Sequence, residues 1–552
     1  MRARKIGPAN RGLRVGALLL SAIVLAPVVV LLLIAFGGSG DDWPHLIRNV
    51  LPSSFGTTLE LLLLVSIATT ALGVAAAYLI AAFDFPLRRL LSWAIVLPLA
   101  VPPYLSAYAL GEFFHYTGPV QTFWRALFGY QTIRDYWFPD IRSTIGAALV
   151  MSSVLYPYVY LTTRVVFLMQ ARGVADAART LGANQRRVFF RILLPLARPA
   201  IVAGLALVLM ETLNDIGAAE YLGVRTLTFS VYATWLNRGS LAGGAQIALA
   251  LLAIVVLLLV AESWARRRQR YGAARGSQFK ARPARLRLSG WRGAAATVFL
   301  LTPIGFGFGV PLYVFGRYAA RRMEQIADER LLDALLNTIL TATATAVITV
   351  AVALFLIYAL LHVRDRLTTA QVRLASIGYA LPGGVLALGL LFLLGGLDNA
   401  VDQVSRALFG YSTGLLITGS AAAVVLACSI RFIALAEGAL RSGYEKLPPN
   451  LDAAARSLGR GRLASAANVL APLLTPAIMT AGVLVFVDAV KELSATILLR
   501  PFAFNTLATY VYEQASRGAP EDGAFAALAI VAAALAPVIL LSRMLAADKS
   551  GE

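Results

Sequence analysis

Long apolar runs separated by short polar segments extend over the whole chain of 552 residues. A helix needs about 20 apolar residues to cross a bilayer, because lipid offers no hydrogen-bond partner to backbone N–H and C=O groups. Twelve runs meet this requirement: 15–37, 57–83, 91–113, 144–163, 200–219, 243–261, 293–316, 337–361, 375–396, 413–436, 474–498 and 523–542. The pattern therefore predicts an all-α polytopic membrane protein with about twelve transmembrane helices.

The first apolar run follows a basic leader that includes Arg2, Arg4 and Lys5. A secretory signal peptide has an apolar stretch of about 7–15 residues followed by a small-residue cleavage site. The run here is longer and no clear cleavage site follows it. We therefore expect the segment 15–37 to be retained as a membrane span.

Basic residues are distributed unevenly between the two sides of the predicted membrane. If the N-terminus is cytoplasmic, the inside segments hold 34 Lys and Arg and the outside loops hold 13. Cytoplasmic loops are enriched in these residues, so both termini are predicted to be cytoplasmic. The same asymmetry explains the net charge of +20, and no nucleic-acid partner is expected. Ten of the basic residues lie in the segment 264–292, which is predicted to be a linker near anionic membrane lipid.

Composition argues against several other kinds of protein and site. The chain is 59% hydrophobic and only 14% charged, whereas soluble domains carry about 25% charged residues. With Cys428 as its one cysteine, it cannot form an internal disulfide. Its three histidines have no metal-ligand spacing, and no phosphate-binding loop or nucleophile–base pair is visible. We expect no catalytic residue, no resident metal and no bound cofactor.

An internal repeat divides the chain into two halves of six spans each. Residues recur at offsets of 277 and 280: Leu181-Gly182 as Leu458-Gly459, Pro195 as Pro472, Thr58 as Thr338, and Ala100-Val-Pro102 as Ala380-Leu-Pro382. An even number of spans makes the repeat parallel, with the halves expected to face each other across a central path. The predicted domains are residues 1–263 (core 55–262), the linker 264–292, and residues 293–552 (core 335–543).

The repeat is densest in the cytoplasmic loop after the fourth span of each half, at 171–199 and 444–476. The first copy reads Asp176-Ala-Ala-Arg-Thr-Leu-Gly182 and the second reads Ala453-Ala-Ala-Arg-Ser-Leu-Gly459, and prolines follow both. Glycine allows the backbone to bend sharply, and proline suits the first turn of the next helix. Each loop is predicted to present a short, rigid helix to the cytoplasm.

Both loops resemble the EAA motif of binding-protein-dependent ABC importer permeases. The whole chain resembles the fused, two-fold ferric-iron permeases of that family, through the segments Leu155–Tyr160, Glu211–Val224 and Lys491–Pro501. The resemblance implies the type I ABC importer permease fold in the bacterial inner membrane. It also implies two kinds of partner, an ATP-binding cassette ATPase dimer that uses ATP and Mg, and a periplasmic binding protein.

The resemblance further implies which residues dock the ATPase: Asp176, Ala177, Ala178, Gly182, Ala453, Ala454 and Gly459. The acidic residue of the motif is absent from the second copy, so the two loops are expected to bind the ATPase unequally. Ferric iron is the implied substrate. The alternatives are an organic cation or phosphonate, such as thiamine, a polyamine or 2-aminoethylphosphonate. A twelve-span secondary transporter is a further alternative, although a gradient-driven carrier has no use for an ATPase-docking loop.

Five ionisable residues lie in the fifth spans of the two halves: Glu211, Asp215, Asp488, Lys491 and Glu492. A charge within the hydrocarbon costs about 2.5–3.5 kcal/mol on insertion scales, so these residues should face a polar interior. Lys491 follows Asp488 by three residues, which allows an ion pair on one helical face. The five residues fit either an ion-pair network or the lining of a path for a cation.

Overall fold

A computed structural model of the protein describes residues 8–169, 178, 180–267, 285–363, 365–448, 451, 455, 457–459 and 461–547. The first half contains the helices α1 Pro8–Gly37, α2 Trp43–His45, α3 Leu51–Ala82, α4 Arg88–Ala94, α5 Pro103–Phe114, α6 Pro119–Phe128, α7 Thr144–Met169, α8 Gln185–Val188, α9 Leu194–Asn214, α10 Gly217–Tyr221, α11 Leu227–Arg238 and α12 Leu241–Arg267. The second half contains α13 Trp291–Ile304, α14 Val310–Arg321, α15 Glu329–Val363, α16 Arg366–Ala375, α17 Gly383–Phe409, α18 Ala422–Tyr444, α19 Arg462–Ser465, α20 Ala471–Val490, α21 Thr496–Leu499, α22 Leu507–Ser516 and α23 Ala524–Ala547. A parallel ladder of two residues joins β1 (Phe83–Asp84) to β2 (Leu286–Arg287).

The helical segments agree with the predicted number of spans. In the described part of the chain, eleven are long and apolar enough to cross a membrane, and a bent pair supplies the twelfth if it counts as one span. Each of the twelve predicted runs overlaps one of these segments. The prediction of an all-α polytopic protein is confirmed.

Two of the predicted spans, the runs 91–113 and 375–396, are not continuous helices. The helical segments on the two sides of Val101 meet at 97°. Val101 has an extended backbone (φ −101°, ψ 114°), and so does Leu381 at the corresponding point of the second half (φ −76°, ψ 125°). Each residue precedes a proline, whose ring clashes with a helical conformation in the residue before it. Both halves therefore break the third span at the same place.

The tenth span begins later than the predicted run 413–436, because α18 starts at Ala422. The carboxylate of Asp398 in α17 accepts the backbone N–H of Ile417 at 3.0 Å and that of Thr418 at 2.9 Å. A side chain that binds backbone groups in this way competes with helix formation. The loop before α18 is held in a non-helical conformation by this carboxylate.

The repeat in sequence is also a repeat in hydrogen bonding. The hydroxyl oxygen of Thr58 in α3 accepts the backbone N–H of Leu227, at 2.9 Å. The hydroxyl oxygen of Thr338 in α15 accepts the N–H of Leu507, at 2.7 Å. Thr58 and Thr338 are related by the offset of 280, and so are Leu227 and Leu507. Equivalent residues thus make the same contact in the two halves.

Two compact units are distinguished by their internal packing. Unit 1 comprises residues 1–39, 241–249 and 326–510, and unit 2 comprises residues 40–240, 250–325 and 511–552. In unit 1, α15, α18 and α20 pack together and α1 packs against α16 and α17. In unit 2, the equivalent helices α3, α7 and α9 pack together, and α14 packs against α5 and α23. Unit 1 thus combines most of the second half with the first span of the first half, and unit 2 combines most of the first half with the first span of the second half. The boundaries at 263 and 293 concern the homologous halves and stay a prediction.

Candidate functional site

The two loops predicted to be cytoplasmic bend at equivalent glycines. Gly182 has a φ of +84° and Gly459 a φ of +81°, a left-handed conformation that glycine adopts without steric cost. In the first loop, the N–H of Ala183 donates to the carbonyl of Ala178 at 2.9 Å, which is the closing bond of a Schellman motif. A helix therefore ends at Gly182. Four of the predicted docking residues lie outside the described residues: Asp176, Ala177, Ala453 and Ala454.

Directly after the bend, a second short helix begins. The side chain of Asn184 accepts the N–H of Arg187 at 2.9 Å and so caps the N-terminus of α8. Gln185 donates to the hydroxyl of Tyr78 in α3 at 2.6 Å, and the ring of Phe189 lies 4.4 Å from the Tyr78 ring. The first loop is therefore attached to the second span by a hydrogen bond and an aromatic contact.

Two of the three residues that make this attachment have different residue types in the second half. Tyr78 has an equivalent at Tyr358, under the offset of 280. Gln185 and Phe189 are replaced by Arg462 and Ala466, under the offset of 277. Ala466 has no ring, so the sequence of the second loop has no counterpart of the Phe189 side chain.

An apolar side chain projects from each bend. Leu181 is 88% exposed and Leu458, its equivalent, is 84% exposed. Both residues directly precede the left-handed glycine, so the bend fixes their position. A leucine exposed at the same point of two structural repeats is suited to contact with another protein.

The fifth span of each half ends at a carboxylate that caps the next short helix. Asp215 follows α9, and its Oδ1 atom accepts the N–H of Ala218 in α10 at 2.6 Å. Glu492 follows α20, and its Oε1 atom accepts the N–H of Ala495 at 2.9 Å. The predicted runs 200–219 and 474–498 therefore do not form single helices. Both carboxylates are buried and occupy the same position of the repeat.

In the second half, the carboxylate after the fifth span lies next to a buried arginine. The second oxygen of Glu492 forms an ion pair with the guanidinium of Arg431 in α18, and the two side chains are 5% and 6% exposed. The offset of 277 places Val154 at the corresponding position of the first half. Sequence reasoning missed Arg431, although a lone charge inside an apolar span is a sign of a functional or paired residue.

Comparison with known proteins identifies the family. Residues 69–271 match the model of the binding-protein-dependent transport system inner membrane component. The Fe(3+)-transport system permease protein FbpB 2 of Haemophilus influenzae is 24% identical over 506 residues, which cover 90% of the chain and 91% of that protein. A probable molybdenum ABC transporter permease protein of Haloferax volcanii is 30% identical over 199 residues, 35% of the chain and 69% of that protein. The chain belongs to this family of inner membrane components. It is the membrane-spanning permease of an ABC importer.

Within the permease, the remaining predicted path residues lie on the fifth spans. The Nζ atom of Lys491 lies 2.7 Å from Oδ1 of Asp488, so the ion pair expected from their spacing is confirmed. Both side chains are partly exposed, at 28% and 23%. Glu211 is half-buried in α9.

The charges differ between the two fifth spans of the permease. In the second half, Asp488 and Glu492 are each paired with a cation. In the first half, the fifth span carries the two acidic residues Glu211 and Asp215 and no Lys or Arg between Pro199 and Asp215. By sequence, the fifth span of the first half thus carries two acidic residues and no basic one, whereas that of the second half also carries Lys491.

Proposed function

We propose that this permease forms the membrane path of an ATP-driven importer for ferric iron, which a periplasmic binding protein delivers. The extent of the alignment carries this proposal. The Fe(3+)-transport permease aligns with 90% of the chain, through both halves, whereas a sulfate transport permease of Escherichia coli aligns with 36%. Carboxylates such as Glu211 and Asp215 support a cationic cargo, since they lower the electrostatic cost of moving positive charge through a region of low dielectric constant.

Uptake by reconstituted vesicles tests the substrate. The permease, its ATPase and its binding protein are incorporated into proteoliposomes, and ATP-dependent entry of radiolabelled ferric iron is measured. We expect uptake that excess thiamine or polyamine leaves unchanged and that a non-hydrolysable ATP analogue abolishes. ATP-dependent uptake of an organic cation or phosphonate, with no entry of iron, would show that the substrate is wrong.

The two cytoplasmic loops are the proposed docking surfaces for an ATPase dimer, which binds and hydrolyses ATP with Mg outside this chain. Leu181 and Leu458 support this role, because two equivalent apolar knobs suit a partner that is itself a symmetric dimer. The motif residues Asp176, Ala177 and Ala178, with Ala453 and Ala454 in the second copy, belong to the same surfaces. In the first loop, Gln185 and Phe189 would pass the movement of the ATPase to α3 through Tyr78.

The proposed orientation places both termini, the linker 264–292 and the docking loops in the cytoplasm. The pairing of β1 with β2 supports it, since β1 ends the second span and β2 lies in the linker. Both strands therefore lie on the same side of the membrane. The membrane face with most Lys and Arg is the cytoplasmic one.

A further inference from the structure

Two tyrosines at the same position of the two halves touch each other. Tyr232 in α11 and Tyr512 in α22 are related by the offset of 280, and their hydroxyl oxygens lie 3.4 Å apart. A contact between the same residue of two related copies lies on the two-fold axis that exchanges those copies. In a parallel membrane repeat this axis runs along the membrane normal, which is the direction of transport. The two phenols therefore join equivalent positions of the two halves.

One carboxylate joins these phenols. The hydroxyl of Tyr512 donates to Oε2 of Glu220 in α10, at 2.5 Å. The offset of 277 places Ile497 at the position of Glu220 in the second half, so only the first half supplies this acidic residue. Burial raises the pKa of Glu220 above its ordinary value. Burial, followed by the nearby Tyr232 and Glu220, raises the pKa of Tyr512 far above the usual range of a phenol.

The carboxylate of Glu220 is suited to a cation. The half-buried carboxylate of Glu220 is partnered by the phenol of Tyr512 among the described hydrogen bonds. A carboxylate that is partly withdrawn from water is stabilised by a cation or a metal ion. A positive ion between these oxygens would stabilise the negative charge of Glu220.

We propose that Glu220, Tyr232 and Tyr512 form a constriction in the transport path, where their oxygen atoms bind the ferric ion as it passes. This proposal rests on ferric iron being the substrate. Hard cations prefer oxygen ligands. Octahedral coordination with metal–oxygen bonds of about 2.0–2.1 Å places neighbouring ligand oxygens about 2.9 Å apart. The observed oxygen separations of 2.5 and 3.4 Å lie on either side of this value. Each phenol that binds the ion releases one proton to water and regains one when the ion leaves.

The neighbouring residue of α10 provides a matched control. Tyr221 donates to Oε1 of Glu112 at 3.2 Å, and Tyr318 donates to Oε2 of the same carboxylate at 2.9 Å. This second cluster has the same chemical groups. It does not join equivalent residues of the two halves, and the guanidinium of Arg142 lies 5.2 Å from the centre of the Tyr221 ring. A nearby guanidinium disfavours a cation, so Tyr221→Phe should leave iron transport unchanged.

The test uses the whole complex of permease, ATPase and binding protein. Initial rates of ferric iron uptake are compared for wild type, Tyr232→Phe, Tyr512→Phe, Glu220→Gln and the control Tyr221→Phe. We expect each of the first three substitutions to lower uptake about tenfold or more, the size of effect that loss of a metal-site interaction produces. Stimulation of the ATPase by the loaded binding protein should persist, which shows that the variants are folded and assembled.

A second measurement separates ligation from packing. Ferric iron added to the purified wild-type complex should give the visible absorption band of iron bound to phenolate. Tyr232→Phe and Tyr512→Phe should weaken this band, while Tyr221→Phe retains it. Wild-type uptake in the three axial variants, or the absence of the band from a wild-type complex that transports iron, would overturn the constriction and leave the proposed substrate intact. Failure of the wild-type complex to transport iron would remove both proposals.

Discussion

Asp215 and Glu492 occupy the same position of the two halves and each accepts the backbone N–H of the residue three places later. Glu492 also forms an ion pair with the buried Arg431. The local backbone requirement at the end of the fifth span is therefore the same in both copies of the repeat. The charge at this point is neutralised by a buried arginine in the second half, where the first half has Val154.

Replacement of one member of the buried pair should destabilise the permease strongly. Arg431→Met leaves the charge of Glu492 buried without its guanidinium, and breaking such a pair costs about 3–5 kcal/mol. The midpoint of thermal unfolding of the detergent-solubilised protein measures this loss. Glu492→Gln should also lower the midpoint, because Arg431 then loses its carboxylate.

The double variant Arg431→Met/Glu492→Gln is the control for this pair. It removes both charges, so we expect it to be more stable than either single variant. Losses that simply add in the double variant would show that the two side chains stabilise the fold independently.

Thr58 and Thr338 should stabilise the two halves equally. In each half, the threonine hydroxyl joins the second span to the region after the fifth span. Thr58→Val and Thr338→Val each leave a buried backbone N–H, that of Leu227 or Leu507, without its acceptor. The expected loss is about 1–3 kcal/mol for each variant, measured by unfolding in detergent. Thr58→Ser keeps the hydroxyl and should lose much less. A valine variant as stable as its serine counterpart would contradict this interpretation.

The bend at Gly182 should be necessary for coupling to the ATPase. A side chain in the left-handed conformation costs about 1–2 kcal/mol, so Gly182→Ala should displace the exposed Leu181. We expect membrane insertion to be retained, with reduced transport and reduced stimulation of ATP hydrolysis. Gly182→Trp adds bulk to the same surface and should abolish both.

Gly129→Ala is the matched control for the bend. Gly129 has a similar φ of +73° and, like Gly182, has open space where a Cβ atom would lie. It lies in the loop between the third and fourth spans, on the side opposite the proposed docking loops. Transport by Gly129→Ala should be close to wild type, and equal defects in the two variants would point to a general folding effect.

Labelling with a membrane-impermeant thiol reagent tests the proposed orientation. In a Cys428→Ala background, Arg270→Cys and Asn450→Cys should resist the reagent in intact cells, because both positions are predicted to be cytoplasmic. Gln131→Cys lies in a predicted outside loop and should react. Labelling of position 270 or 450 in intact cells would reject the orientation.

The sequence by itself determined the number of spans, the parallel repeat and the bends at Gly182 and Gly459. These features depend on local requirements. Backbone groups in lipid must form helices along each apolar run, and a left-handed turn at the end of a helix favours glycine. The breaks before Pro102 and Pro382 have the same local origin, although reading apolar runs alone did not reveal them.

Only the tertiary structure decided which groups meet. Arg431 and Glu492 are 61 residues apart, and Tyr232 and Tyr512 are 280 residues apart. The runs of hydrophobic residues show which segments cross the membrane, but they do not show which neighbouring helix each helix face contacts. Those contacts follow from packing between distant helices, which has no local signal in the chain. The ion pair of the second half and the two axial phenols therefore became visible only in the folded protein.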